Sequence, residues 1–212
     1  MSLEDLLQRA QVWRAGRAAP GVGLASGFAA LDAILPGGGW PTRGLTEILA
    51  AGSGIGALRL VLPALARLSR EGRWIIWVAP PHIPYSPALS GHGLDLTRVL
   101  VVDFPEDERN AAAQSLWAYE QALRFDACGA ALLWVDRLPQ LRLRRLQLAA
   151  ENGATWGLLF RPAACAAQAS PAPLRLELQA LDAASAPAAL QVRLHKARGR
   201  HAGQCCRLEL EI

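Results

Sequence analysis

The middle of the chain alternates short strand-like segments with longer amphipathic segments. The strand-like segments lie at residues 44–49, 73–79, 99–103, 130–136 and 155–160. Residues 73–79 are apolar on both faces, which is typical of a buried parallel strand. Apolar residues recur at helical spacing in a segment that follows residue 56 and ends near residue 70, and again over 107–126 and 139–151. Strands that alternate with helices predict an α/β fold with a mostly parallel sheet flanked by helices.

The last part of the chain changes to an alternation of apolar and polar residues. This pattern occupies residues 174–178, 190–194 and 206–210. A period of two residues is typical of strands with one solvated face, and we predict that these strands are antiparallel. The intervening stretches at 162–173 and 182–189 are rich in Ala, Ser and Pro, and we predict loops there.

The N-terminal residues carry an amphipathic pattern of their own. The apolar positions that recur at helical spacing are Leu3, Leu6, Leu7, Ala10 and Trp13. We predict an N-terminal helix over residues 1–20 and a single domain over residues 21–212, with antiparallel strands from about residue 174. The apolar stripe of the helix has two open interpretations: it packs against a partner protein, or it packs on the chain's own core.

Composition narrows the class of protein. Hydrophobic residues make up 52% of the 212 residues and charged residues 19%, which is typical of a folded globular chain. Apolar runs are too short for a membrane helix, and the acidic start is unlike a secretory signal, so we expect a cytoplasmic protein without membrane contact. The net charge is +4, and Lys196 is the single lysine among 22 basic residues. This excess permits weak nucleic-acid binding without establishing it.

A glycine-rich loop follows the first strand-like segment and precedes a helix. That order is typical of a phosphate-binding loop, whose motif G-x-x-x-x-G-K-[ST] places a lysine at the terminal phosphates and a hydroxyl on magnesium. Here the lysine position falls on Ala57 or Gly56, and Leu58 has no hydroxyl. We interpret the glycines as a tight strand-to-helix turn. The degenerate loop comprises Gly52, Ser53, Gly54, Ile55, Gly56, Ala57 and Leu58.

Two sets of residues carry a resemblance to known families. Residues 26–32 and 37–44, followed by Glu47 and Ile48, resemble the opening of the RecA core. Segments spread from about residue 24 to about residue 200 resemble the ImuA family more closely. These segments are 54–60, 80–85, 116–123, 143–151 and 196–199.

The resemblance implies a RecA-like core and a non-catalytic role in error-prone translesion DNA synthesis during the SOS response. It implies as partners an ImuB-like inactive relative of Y-family polymerases, RecA, and, through the complex, an error-prone replicative-type DNA polymerase. RecA activates water with a glutamate after its second core strand, where this chain has Pro81. Asp136 ends a hydrophobic strand as a Walker B aspartate does. We therefore predict a pseudo-ATPase with no catalytic residue, cofactor or metal.

Two other functions stay open at this point. The SulA family shares the inert fold implied by the resemblance and inhibits cell division through FtsZ. A divergent ATPase would instead use Arg59 or Arg43 in place of the missing lysine, although an arginine approaches phosphate with a different geometry.

Basic residues cluster in two places along the chain. The first cluster, on the helix after Asp136, comprises Arg142, Arg144 and Arg145. The second comprises Arg193, Lys196, Arg198 and Arg200, with neighbouring histidines and Arg207. Each cluster is either a solvated surface or a contact for a partner protein or the DNA backbone. Because the regions that correspond to the DNA-binding loops of RecA look short, we expect weak contact with DNA.

Overall fold

The computed structural model describes residues 23–52, 56–105, 110–182, 188–197 and 202–210. The strands in these ranges are β1 Gly44–Ala50, β2 Trp74–Val78, β3 Val99–Val102, β4 Cys128–Trp134, β5 Trp156–Pro162, β6 Leu174–Asp182, β7 Ala188–Ala197 and β8 Cys205–Leu210. The α-helices are α1 Ala29–Ile34, α2 Leu62–Arg70, α3 Ser86–Gly91, α4 Ala111–Arg124 and α5 Gln140–Asn152. Short 3₁₀ helices lie at Pro36–Gly38, Leu96–Arg98 and Ala163–Ala167. The predicted N-terminal helix, with Leu3, Leu6, Leu7 and Trp13, lies outside the described residues.

All eight of these strands form one sheet in the order β3-β2-β4-β5-β1-β6-β7-β8. The neighbours from β3 to β6 are parallel, whereas β7 runs antiparallel to both β6 and β8. Because β1, β2, β4 and β5 are parallel neighbours or near neighbours, their carboxyl ends meet at the same edge of the sheet. This edge is where open α/β sheets usually bind ligands.

Alternate residues of the parallel strands enter two separate apolar layers. Ile75 and Trp77 of β2 pack on the side that carries α2, which we call the α2 face. Ile76 and Val78 pack on the side that carries α4 and α5, which we call the α4–α5 face. Burial on both faces accounts for the continuously apolar sequence of β2.

Strands β6–β8 depart from this two-sided pattern. Leu176 and Leu190 are buried on the α2 face, while Glu177, Gln191 and Arg193 form a polar surface on the other side. Strands of this type need cover on one face only. In the described part of the chain, helices therefore do not flank the whole sheet.

The predicted RecA-like core flanked by helices is therefore wrong. The structure is an eight-stranded mixed sheet with few helices in the described ranges. Two of its five α-helices, α1 and α3, have only six residues each. The error arose because the helix cover that suits β2 and β4 was also expected for β6, β7 and β8, between which the described residues contain no helix. None of the described helices has the length and hydropathy that a membrane span requires.

Candidate functional site

A cleft of about 1010 Å³ opens at the carboxyl ends of β1, β2, β4 and β5. Each strand supplies its last residues and the start of the following loop. The lining segments are residues 50–52, 56–59, 79–85, 134–137 and 160–162, together with Trp77. The cleft thus brings together the glycine-rich loop, the proline-rich loop after β2 and Asp136.

The glycine-rich loop forms one wall of the cleft. Gly56 has φ +92°, and a Cβ atom at this position would collide with Leu210 of β8. The positive φ favours glycine, whereas the clash is with a terminal methyl group of Leu210 that the flexible side chain can move aside. The positive φ supports the interpretation of the loop as a tight turn. Ala57 and Leu58 are half-buried and pack against the core. Because their side chains are aliphatic, they present no cation or hydroxyl to the cleft. Residues 53–55, which include Ser53, Gly54 and Ile55, lie outside the described residues.

Three aromatic side chains form the floor of the cleft. The ring centroids of Trp77 and Trp134 are 5.7 Å apart, and Trp134 stacks on Phe160 at 4.8 Å with an angle of 10° between the rings. These residues come from β2, β4 and β5, which are neighbours in the sheet. The aromatic layer was not predicted from the sequence, because it depends on the order of the strands in the sheet.

The proline-rich loop after β2 forms the opposite rim. Ile83 is 93% exposed and Tyr85 is 72% exposed. His82 and Pro81 are also exposed at this rim. Pro81 thus lies at the cleft, but its side chain has no group that could accept a proton from water.

Charged groups at the cleft are mostly cationic. Arg59, Arg137 and Arg161 line it together with the single described carboxylate, Asp136. Asp136 is exposed, and its backbone carbonyl accepts a hydrogen bond from the Sγ of Cys165 at 3.0 Å. The predicted Walker B-like residue therefore lies at the cleft. Arg43 does not line the cleft, since it precedes β1 at the opposite end of that strand.

A buried ionic cluster on the α4–α5 face anchors Arg161. The carboxylate of Glu47 accepts hydrogen bonds from Arg175 Nε at 2.9 Å, from Arg161 Nη1 at 3.4 Å and from the hydroxyl of Ser170. Arg161 also donates to Gln168 at 2.9 Å. One carboxylate therefore faces two buried guanidinium groups. The sequence analysis missed this cluster, although a glutamate inside a buried strand is a signal that could have revealed it.

The first predicted basic cluster lies on the exposed surface of α5. Arg142, Arg144 and Arg145 are all exposed, and Arg145 also donates a hydrogen bond to Glu120 of α4 at 2.8 Å. Arg124 donates to the same carboxylate at 2.8 Å. Part of the predicted positive charge is therefore neutralised within the fold.

We predict that Glu120→Gln lowers the free energy of unfolding by about 1–2 kcal/mol at pH 7. Burial disfavours the charged carboxylate, but the hydrogen bonds from Arg145 and Arg124 outweigh burial and hold the pKa of Glu120 below its ordinary value of 4.5. A lowered pKa in the folded state stabilises the fold above the unfolded-state pKa, and this contribution disappears as the pH falls through the folded-state pKa. Urea unfolding at several pH values should show the difference from the parent chain narrowing below about pH 4.5. A difference that does not depend on pH would contradict the ionic explanation.

The described residues of the second predicted basic cluster lie in different surroundings. Arg193 is exposed on β7 opposite Glu177 of β6. Lys196 is exposed and donates to the backbone carbonyl of Ser170 at 2.7 Å, so it helps to hold the segment between β5 and β6. Arg198 and Arg200 lie outside the described residues.

The family model described as Cell division inhibitor SulA matches residues 45–157, just over half of the chain. The chain belongs to the SulA family. The matched region runs from β1 into β5 and contains most of the cleft lining. Strands β6–β8 lie beyond the matched region.

Proteins similar to this SulA-family chain carry two different names. Cell division inhibitor SulA of Edwardsiella piscicida is 32% identical over 123 residues, which cover 58% of this chain and 70% of that protein. Cell division inhibitor SulA of Photorhabdus laumondii is 29% identical, with coverage of 57% and 65%. Protein ImuA of Caulobacter vibrioides is 29% identical over 151 residues, with coverage of 69% and 60%. The chain thus spans about two thirds of the length of these relatives.

A solved structure also matches part of the chain. The crystal structure of SulA from Pseudomonas aeruginosa has 26% sequence identity and a TM-score of 0.45. The match covers 55% of this chain and 97% of that chain.

Proposed function

We propose that this SulA-family chain is a non-catalytic accessory protein of error-prone translesion DNA synthesis in the SOS response, as its resemblance to ImuA implies. It acts through protein–protein contacts. Its partners are an ImuB-like inactive polymerase relative, RecA and, through the complex, an error-prone replicative-type polymerase. The non-catalytic part of the proposal is supported by the types of residue that line the cleft.

Phosphoryl transfer needs a cation at the terminal phosphates, a magnesium ligand and a group that positions the nucleophile. Among the described lining residues there is no lysine, serine, threonine or glutamate. Ala57, Leu58 and Pro81 occupy the corresponding positions, and Asp136 alone cannot supply the other functions. These replacements support loss of ATP hydrolysis.

The length of the relatives' matches supports the translesion role, and their names support an alternative. The ImuA match covers 69% of the chain and the Edwardsiella SulA match 58%. The SulA family description and the 32% identity favour a second candidate, a SulA-like inhibitor of cell division that binds FtsZ. Both candidates are non-catalytic binding proteins.

The proposed loss of ATP hydrolysis is tested through nucleotide binding, by calorimetric titration of the full chain with MgATP. We expect no saturable binding up to about 1 mM, the upper end of ordinary KM values. Saturable binding that requires magnesium and disappears in Arg59→Ala would instead support a divergent ATPase, since Arg59 is the predicted replacement cation that lines the cleft. Arg43→Ala is the matched control, because Arg43 is exposed and remote from the cleft.

The partner assignment is tested by co-purification of the tagged full chain. Separate mixtures contain an ImuB-like protein from the same genome, RecA or FtsZ. We expect retention of the ImuB-like protein and of RecA. Retention of FtsZ together with slower FtsZ polymerisation, and no retention of the other two proteins, would overturn the translesion role in favour of the SulA-like one.

A further inference from the structure

We propose that the cleft at the carboxyl ends of β1, β2, β4 and β5 binds a short extended peptide of a partner protein, in which an aromatic or branched apolar side chain adjoins a carboxylate. This inference rests on the proposed function, because it locates one of the protein–protein contacts through which the chain acts.

The floor fits an apolar side chain of the ligand. Trp134 lines the cleft and is only half-buried, with its ring stacked on Phe160 and tilted by 42° to that of Trp77, so part of its indole presents apolar surface to the cleft. The Gly56–Arg59 wall adds the half-buried aliphatic side chains of Ala57 and Leu58. Aromatic and aliphatic walls of this kind bind aromatic or branched side chains through apolar burial and ring stacking.

One residue of the floor carries an unpaired hydrogen-bond donor. Trp77 lines the cleft and is 2% exposed, and its buried Nε1 has no hydrogen-bond partner among the described residues. A buried donor without an acceptor is costly. A ligand that carries carbonyl or carboxylate oxygens supplies the acceptor that this donor lacks.

The charge of the cleft selects an acidic ligand. Arg59 and Arg137 line it without a second described carboxylate beyond Asp136. Cationic clefts with apolar walls concentrate anionic partners and orient them as they bind.

The rim suits a peptide better than a nucleotide. Pro80, Pro81 and Pro84 restrict the backbone of the loop that presents Ile83 and Tyr85, so ordering this backbone on binding costs little entropy. Isoleucine and tyrosine at an exposed rim are typical of protein contacts. A triphosphate would find no lysine and no serine or threonine hydroxyl for magnesium among the described lining residues.

The test uses the immobilised full chain and a phage library of random heptapeptides. We expect enrichment of peptides in which an aromatic or branched residue adjoins Asp or Glu. A synthetic copy of the most enriched peptide should lose at least about tenfold in affinity against Arg137→Glu and against Tyr85→Ala, two exposed positions of the cleft. Arg142→Glu, an exposed charge reversal on α5, is the matched control and should bind the peptide normally.

Several outcomes would overturn the proposal. These are no enriched peptide, enriched peptides without acidic residues, equal binding by the cleft variants and the parent chain, and displacement of the peptide by MgATP or by single-stranded DNA. Different outcomes test the proposed function and the cleft proposal. Co-purification that survives both cleft variants leaves the accessory role intact and rejects the cleft as the contact. Peptide binding without retention of the ImuB-like protein or RecA supports the cleft and rejects those partners.

Discussion

Glu47→Gln is expected to lower the free energy of unfolding by about 3–5 kcal/mol. Glu47 is fully buried in β1 and accepts hydrogen bonds from Arg161 of β5 and Arg175 of β6. The amide that replaces the carboxylate carries no charge, so two buried guanidinium groups lose their shared counter-ion. The loss also removes a link between β1 and both neighbouring strands.

Glu71→Gln is the matched control for this experiment. Glu71 pairs with Arg67 along α2 at 2.9 Å, but the two side chains are 52% and 57% exposed. Exposed pairs contribute little, so we expect a change below about 0.5 kcal/mol. Urea unfolding followed by far-ultraviolet circular dichroism measures both variants. Equal effects of the two substitutions would show that burial does not strengthen the Glu47 cluster.

Local patterns predicted most of the strands and longer helices. Residues 130–136 were predicted as a strand, and β4 is Cys128–Trp134. Residues 107–126 were predicted as a helix, and α4 is Ala111–Arg124. These predictions succeeded because burial on two faces of a strand and on one face of a helix leaves a direct trace in residue periodicity.

The helix cover of the sheet could not be predicted in the same way. Alternation in residues 174–178 and 190–194 indicated strands with one solvated face, but periodicity does not tell which sheet a strand joins. In the structure β6 pairs directly with β1, so the one-sided strands extend the parallel sheet, and no helix among the described residues covers their polar face. The predicted RecA-like core failed at this step.

The site was predicted in parts that the sequence could not assemble. The degenerate loop at Gly56 and the isolated Asp136 were recognised from motif positions, and both line the cleft. The aromatic floor and the Glu47 cluster were missed because Trp77, Trp134 and Phe160 become neighbours only through the strand order, as Glu47 and Arg161 do. Contacts across parallel strands join residues that are far apart in sequence.

Trp156→Ala is expected to cost about 3–5 kcal/mol of the free energy of unfolding. Trp156 is fully buried in β5 on the α2 face, with its ring centroid 5.3 Å from that of Trp40. Its Nε1 donates to the hydroxyl of Thr46 at 3.0 Å, so truncation leaves both a cavity and a buried hydroxyl without this donor. Because the free energy of unfolding of an average domain is only about 5–15 kcal/mol, such a loss removes a large share of that stability.

Two further variants separate the cavity from the hydrogen bond and from the loss of a tryptophan as such. Trp156→Phe keeps most of the ring, so we expect a smaller loss of about 1–2 kcal/mol. Trp117→Ala removes an indole that is 63% exposed on α4, and we expect a change below about 0.5 kcal/mol. Unfolding is followed by circular dichroism, since every variant alters tryptophan fluorescence. A loss of stability in Trp117→Ala as large as that in Trp156→Ala would mean that Trp117 is buried in solution against a second copy of the chain. In that case the stability of the parent chain should depend on protein concentration.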